Sequence, residues 1–249
     1  MIFYQSLLKR IKLSDQMEKD FFEKMTEKFL PKSLSEKLNV ERYSYLQLIK
    51  LAQERTKKNS ILVDAGAGPC MYKPYFSHTN YIAIDRGTVK ERRGIDIKGD
   101  VLKIPLKNNS VDSIICMAVI EHVINPEELL KEFYRVLKPR GQLFFTAPQG
   151  WQQHDKPYDF FRFTSFALEY LAKKSGFRII FIKPRGGYFW YIGKRLRTGL
   201  KFFKKGWLKI FYIPFGIIFG VITPIICYYL DFLDEDKDLT LGYDCYCKK

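Results

Sequence analysis

From residue 60 onward, short and largely apolar runs alternate with stretches of helical period, and no other feature restricts the fold as much. Residues 60–63, 81–84, 112–119 and 142–147 form four such runs. A strand wetted on one face alternates apolar and polar side chains, whereas a run with little alternation is covered on both faces. Between the last two runs, residues 126–137 place Leu129, Leu130, Phe133, Val136 and Leu137 at helical spacing. Residues 164–174 read as another helix, followed by a strand over 177–182. The pattern predicts an α/β, Rossmann-like doubly wound sheet, mostly parallel, with helices on both faces. Upstream, 15–30 has helical composition and stops before Pro31. Ser33 or Ser35 is placed to cap a second helix running to about residue 58, with Leu46, Ile49 and Leu51 as apolar positions.

Charge is unevenly distributed. The chain of 249 residues carries 42 Lys and Arg against 27 Asp and Glu, a formal charge of +15. Residues 173–209 hold twelve of the basic residues and no acid, leaving the remainder near balance. An excess of this size points to an anionic partner, nucleic acid or an acidic membrane surface. The five cysteines, Cys70, Cys116, Cys227, Cys245 and Cys247, are odd in number and scattered, which fits a reducing compartment better than a disulfide framework. Cys245 and Cys247 are too closely spaced for a zinc knuckle without further ligands; they read as two same-face residues of a strand, and no metal site is expected. The first twelve residues lack the continuous apolar core of a signal peptide.

The first strand ends in Asp64-Ala65-Gly66-Ala67-Gly68-Pro69. Gly66 and Gly68 allow a sharp turn and close approach of backbone to a ligand, because no side chain intervenes. Pro69-Cys70 stands where the dinucleotide fingerprint has a further glycine. Asp85 ends the second strand, where a carboxylate can accept hydrogen bonds from both ribose hydroxyls. Asp100, followed by Val101, is placed to meet an adenine amino group. Any one of these acids is an ordinary loop residue; their order at successive strand ends is what carries the reading.

With these motifs in place, the chain resembles the class I S-adenosylmethionine-dependent methyltransferases, particularly the type 11 branch. The resemblance runs from about residue 60 to 183 and includes VDAGAGP, YIAID, GDVLKIPLKNNSVDSIICMAVIEHV and LLKEFYRVLKPRGQLFFTAP. The family's usual Pro-Gly-Gly is Pro139-Arg140-Gly141 here. The resemblance implies S-adenosylmethionine as cofactor, with Asp64, Gly66, Gly68, Asp85 and Asp100 binding it and Val101 packing along the adenine ring. It also implies a final antiparallel strand, a role that residues 240–247 suit, with Leu241, Tyr243, Cys245 and Cys247 on one face.

Methyl transfer from a sulfonium needs a nucleophile aligned behind the methyl carbon, and a hydroxyl acceptor gains from a nearby base. Glu121-His122 follows the fourth strand, and residues 153–164 follow the next. That second segment resembles a His-x-x-Pro-x-Asp-aromatic-aromatic-Arg-aromatic-Thr stretch in methyltransferases of bacterial glycan and cell-surface gene clusters. His154 is the candidate general base, since histidine titrates near neutrality. The structural alternative has His154 ordering the loop, Asp159 pairing Arg162 and Thr164 capping a helix.

Beyond the core, Phe189, Ile192, Leu196, Leu200, Phe203 and Trp207 fall on one helical stripe opposite Lys194, Arg195, Arg197, Lys201, Lys204 and Lys205, a pattern suited to an anionic membrane surface. Residues 210–230 carry no charge and would be about 31 Å long as a helix, enough to span a bilayer. A return of the chain to a final strand favours a shallow hairpin, bent at Pro214, Gly216, Gly220 or Pro224, over a crossing. The expected organisation is an N-terminal helical segment (1–58), a methyltransferase core (59–187 with 238–249) and a membrane-associating insertion (188–237). The expected function is O-methylation of a sugar on a glycan or lipid-linked intermediate at the cytoplasmic face of the inner membrane, with nucleic acid disfavoured as a partner. Methylation of a quinone or other lipid, and a non-catalytic cofactor-binding scaffold, are the alternatives.

Overall fold

The computed structural model describes residues 28–31, 34–35, 40–87, 94–204 and 206–249. The helix expected over 15–30 lies almost wholly outside the described residues, as does Ser33. Seven strands form one sheet: β1 (Ile61–Ala65), β2 (Asn80–Asp85), β3 (Ile97–Lys98), β4 (Val111–Cys116), β5 (Leu137–Pro148), β6 (Arg178–Pro184) and β7 (Gly242–Lys248). Their spatial order is β3-β2-β1-β4-β5-β7-β6. β1 pairs in parallel with both β2 and β4, so the chain winds in opposite directions from that point and the strand ends diverge there. Ligands of doubly wound sheets bind outside the carboxyl ends of the strands at this switch. β7 is antiparallel to both of its neighbours, β5 and β6.

The two sheet faces are covered differently. On one, α2 (Pro126–Val136) and α3 (Ser165–Lys174) bury Leu129, Leu130, Phe133, Val136, Leu168 and Ala172 against Val63, Ile114, Leu143 and Cys245. The sequence explains α2. Pro126 starts it with φ already helical, Glu127 and Glu128 sit at its positive end and Arg135 at its negative end. Each fully buried side chain of this kind contributes roughly 1.5–3 kcal/mol. On the other face, Leu48, Ile49 and Ala52 of α1 (Val40–Arg55) pack on Leu62, Phe76, Ile115 and Phe144. Tyr246 of β7 stacks on Phe144 there, while Tyr243, Cys245 and Cys247 point into the opposite core, as the period-two alternation of the strand requires. All five cysteines are buried thiols.

Between β6 and β7 the chain forms a helical hairpin. α4 (Tyr188–Gly199) continues through 3-10 turns (Leu200–Lys204), and a second, continuous helix returns over Gly206–Leu233. The return helix is α-helical in α5 (Tyr212–Ile217) and α6 (Thr223–Leu230), joined by a π-helical stretch, Ile218–Ile222. The bend therefore lies at the 3-10 turns and Gly206 (φ +65°), not at the prolines and glycines expected to make it. The wider π turn just before Pro224 accommodates the backbone N–H that proline lacks, so the helix runs on. Gly216, Gly220, Pro224 and Cys227 form its buried stripe, and Gly193 of α4 lies directly against Pro224 and Cys227. The amphipathic division expected for 189–207 is also modified: Arg197 turns inward and Leu196 outward, because α4 presents its Gly193 side to the return helix.

The hairpin is latched at its base by carboxylates. Asp231 accepts hydrogen bonds from the N–H groups of Gly187 and Trp190 at 3.0 Å and from Lys237 Nζ at 2.8 Å. Asp234 Oδ2 accepts from the Tyr188 N–H at 2.6 Å. The end of the return helix thus caps the start of α4, where otherwise unpaired N–H groups and the helix dipole favour negative charge. Asp231→Ala is expected to destabilise the protein by about 2–3 kcal/mol in urea unfolding, since it leaves buried donors unsatisfied. It should also open the hairpin to limited proteolysis at residues 200–206; unchanged unfolding and cleavage would show that the latch contributes nothing.

Candidate active site

The loop after β1 makes two successive left-handed turns, with φ +79° at Gly66 and +51° at Gly68. A side chain at Gly66 would collide with Val119, which lies just beyond β4 across the switch point. At Gly68, by contrast, nothing lies within 4 Å of where a Cβ would stand, so that side of the turn is open. Gly66 and Ala67 donate to the Ile84 carbonyl, fastening the turn to the end of β2. Asp85, 6% exposed, follows at once: its Oδ2 accepts from the Gly68 N–H and its Oδ1 from the Gly87 N–H, each at 3.0 Å.

The other sequence-assigned residues are distributed around this pair. Asp100 Oδ1 accepts from the Leu102 N–H at 2.9 Å, and its Oδ2 pairs with Arg86 at 2.7 Å in a half-exposed setting. Val101 is buried in the core cluster that holds Ala65 and Ile84. Asp64 lies on the α1 side of the sheet and accepts a short hydrogen bond from the Tyr81 hydroxyl. Burial pushes the Asp64 carboxyl up to about 7, against the lowering effect of the Tyr81 bond. Burial, with the carboxylate alongside, also holds the Tyr81 phenol well above its usual value. Arg86 and Tyr81 escape a sequence reading because their partners are set by strand register and loop return, neither of which is written locally.

A second cluster forms where the 3-10 turn Ile120–His122 meets the loop after β5. The Glu121 carbonyl accepts from the N–H groups of Phe160 and Phe161, docking the loop onto the turn. The rings of His122 and His154 meet edge to face, 4.7 Å between centroids. His122 Nδ1 lies 2.6 Å from the Tyr158 carbonyl. His154 Nδ1 lies 3.3 Å from both Asp159 Oδ2 and the Gln152 carbonyl. All these neighbours are acceptors, an arrangement that favours the Nδ1–H tautomer of each ring. His154 Nε2 is 4.0 Å from Glu121 Oε1. Glu121 is 1% exposed and its Oε2 has no hydrogen-bond partner. Burial raises its pKa, with its own backbone N–H and then His122, Arg185 and Arg162 opposing.

The loop itself is held by Asp159 and Arg162. The guanidinium grips both carboxylate oxygens at 2.7 Å and donates to the Trp151, Gln152 and Phe161 carbonyls. Burial pushes Asp159 up, but the Arg162 bonds and the His154 N–H outweigh it and leave the carboxyl at about 2. Thr164 accepts from the Ala167 N–H and caps α3. Asp159, Arg162 and Thr164 are thus occupied in shaping the loop, whereas His154 both orders it, through Asp159, and brings Nε2 to 4.0 Å from Glu121 Oε1. α4 forms the adjoining wall. Tyr191 is so close to Gly150 that a side chain there would strike its ring, and Lys194 Nζ sits 5.1 Å from the centre of the Trp151 ring.

Residues 63–145 match the family described as "Methyltransferase domain" (Methyltransf_11). The chain is 29% identical over 134 residues to an uncharacterised protein of Methanocaldococcus jannaschii, covering 50% of this chain and 58% of that one. It is 27% identical over 135 residues to the malonyl-[acyl-carrier protein] O-methyltransferase of Yersinia pestis, covering 47% and 50%. The chain therefore spans about half the length of these curated relatives. Among solved structures, the [4+2]-cyclase SpnF superposes with a TM-score of 0.55 at 18% identity, covering 82% of this chain and 80% of that one, a likeness of fold.

The raised pKa of Asp64 has a consequence for stability. An acid whose folded pKa lies above its unfolded value stabilises the fold fully below the unfolded pKa and loses that contribution as pH rises through the folded one. For Asp64 the window runs from 3.8 to about 7. The stability of the natural protein relative to Asp64→Asn, measured by urea unfolding, is expected to fall across that window, by about 4 kcal/mol at most, and to level off above it. A difference that stays flat from pH 4 to 7 would contradict the assignment.

Proposed function

Residues 63–145 being a class I S-adenosylmethionine-dependent methyltransferase domain of type 11, we propose that the chain methylates a sugar hydroxyl of a glycan or lipid-linked intermediate at the cytoplasmic face of a membrane. The residues present fit the donor. Gly66 and Gly68 make a turn with open space on one side, and a buried carboxylate bonded to that turn stands at the next strand end. Asp64, Gly66, Gly68, Asp85, Asp100 and Val101 are the residues that would hold it. When bound, S-adenosylmethionine supplies an electrophilic methyl group on a sulfonium.

The chain's own part in the reaction is to align the acceptor and take its proton. His154 Nε2, with Nδ1 fixed by Asp159, accepts the hydroxyl proton as the new O–C bond forms and the S–C bond breaks, the electron pair leaving on sulfur. Val119 touches the glycine turn and immediately precedes the Ile120–His122 turn, so donor and acceptor sides adjoin.

The observation that carries the membrane setting is the hairpin's position and surface. α4 walls the loop that bears His154, and the return helix exposes Trp207, Ile210, Ile213, Ile217, Ile222, Ile226, Tyr229 and Phe232. A contiguous apolar face of this size beside a basic segment suits an anionic lipid surface. The return helix is long and apolar enough to cross a bilayer, but a crossing would strand α4 with its Lys and Arg residues inside it. Lying along the surface avoids that cost.

Three measurements test this reading. In calorimetric titration the protein should bind S-adenosylmethionine one to one, and Asp85→Ala should weaken binding at least tenfold; a wild type that binds none overturns the donor assignment. In flotation with phosphatidylglycerol-containing liposomes, the protein should rise with the lipid, and Trp207→Glu with Ile210→Glu should remain at the bottom. Labelled donor supplied with lipid-linked sugars and with quinone precursors identifies the acceptor. Label entering only the quinones would replace the sugar reading with the lipid one.

A further inference from the structure

The geometry around Glu121 points to a divalent-cation site, and we propose that Glu121, His122 and His154 together bind a Mn2+-, Fe2+-, Co2+- or Zn2+-type ion. One ligand atom from each lies within 4.8 Å of the others. What separates this cluster from a chance gathering is the state of its atoms. Glu121 Oε2 is buried without a partner, which is costly for a carboxylate unless a cation meets it. Both histidines have Nδ1 turned to an acceptor, Tyr158 O for His122 and Asp159 Oδ2 with Gln152 O for His154. Metal-binding histidines are held this way, the second nitrogen donating to a carbonyl or carboxylate so that the first keeps its lone pair and orientation. The Glu121 carboxylate, whose Oε1 is 4.0 Å from His154 Nε2, and the two imidazoles are therefore the proposed ligands.

Asp155 Oδ2, 3.9 Å from His122 Nε2, is near enough to join as a fourth ligand or to hold a bound water. Two imidazoles and one carboxylate select borderline transition ions over Mg2+ or Ca2+, which prefer oxygen throughout. Ligand atoms each about 2.1 Å from one ion in a tetrahedral site lie about 3.4 Å apart, so binding draws the cluster inward by as much as about 1.4 Å.

Three protein ligands leave coordination positions open, which an acceptor oxygen or water would fill. The inference rests on that same cluster but not on the donor. An acceptor oxygen on the ion would be held in place and would lose its proton more readily. His154 Nε2 would then be a ligand rather than the base, with the proton passing to solvent. The two roles are exclusive, which makes them separable by experiment.

Full-length protein stripped with chelator and dialysed should be titrated with Co2+, following heat by calorimetry and the visible absorption that reports nitrogen ligation. One ion per chain is expected, with affinity lowered at least tenfold in each of Glu121→Gln, His122→Ala and His154→Ala. The third histidine, His78, hydrogen-bonds the Thr56 carbonyl elsewhere, and His78→Gln should bind normally. S-adenosylmethionine titrations on the same samples, with circular dichroism, show that each variant is folded and that the donor site is intact. No saturable Co2+ binding by wild type that still binds donor would overturn the cation site and leave His154 as the base. Binding undiminished in the Glu121→Gln, His154→Ala double variant would likewise overturn it, by placing the ion elsewhere.

Discussion

The structure depends on how the last strand is inserted. β7 enters between β5 and β6 and runs against both, so the chain that leaves the sheet at Pro184 must come back beside Tyr243, its register partner. Everything between is obliged to fold as a closed excursion from one sheet edge. The hairpin, its carboxylate latch and its contact with the loop after β5 all follow. A helix such as Gly206–Leu233, taken alone, would read as a membrane span; with its two flanks tied to adjacent strands, it has a companion that lies against it.

Buried polar chemistry is concentrated on the carboxyl-end side of the same sheet. Asp85 is satisfied by two backbone donors and Asp159 by a guanidinium, and the surrounding loops are consequently fixed. Glu121 is the contrast, with one oxygen unmet at almost complete burial. Proteins tolerate such unmet groups where something else is to be bound. Asp244, in β7, also leaves one buried oxygen unmet, but Glu121 is the acid that stands beside two histidines.

Much of this was legible in the sequence. Largely apolar runs gave the strands to within a residue or two in most cases, because burial on both faces leaves little choice of side chain. The glycine turn and Asp85 were equally plain, being fixed by backbone conformation and strand ends. β3 (Ile97–Lys98) escaped notice, since two residues carry no period. The bend of the hairpin was misplaced because proline and glycine break an isolated helix, whereas here a π turn absorbs Pro224 and Gly216 and Gly220 are buried within a helix that runs on. Glu121, His122 and His154 were each visible as candidates, but their convergence depends on how the loop after β5 folds back onto the Glu121 carbonyl. Long-range loop return is a tertiary property, and no local pattern encodes it.

Asp85 also bears on the energetics of recognition. Its carboxylate is already immobilised by the N–H groups of Gly68 and Gly87, in a conformation fixed when the sheet formed. A flexible acid in the same place would surrender rotamer entropy on each encounter, about 0.5–1.5 kcal/mol for a side chain newly ordered. Here that loss belongs to folding, so a ligand hydroxyl meeting Asp85 keeps more of its hydrogen-bond energy as affinity. The same two bonds that shape the loop therefore make the site rigid in advance, and association there should be governed by desolvation and fit rather than by rearrangement of the acid.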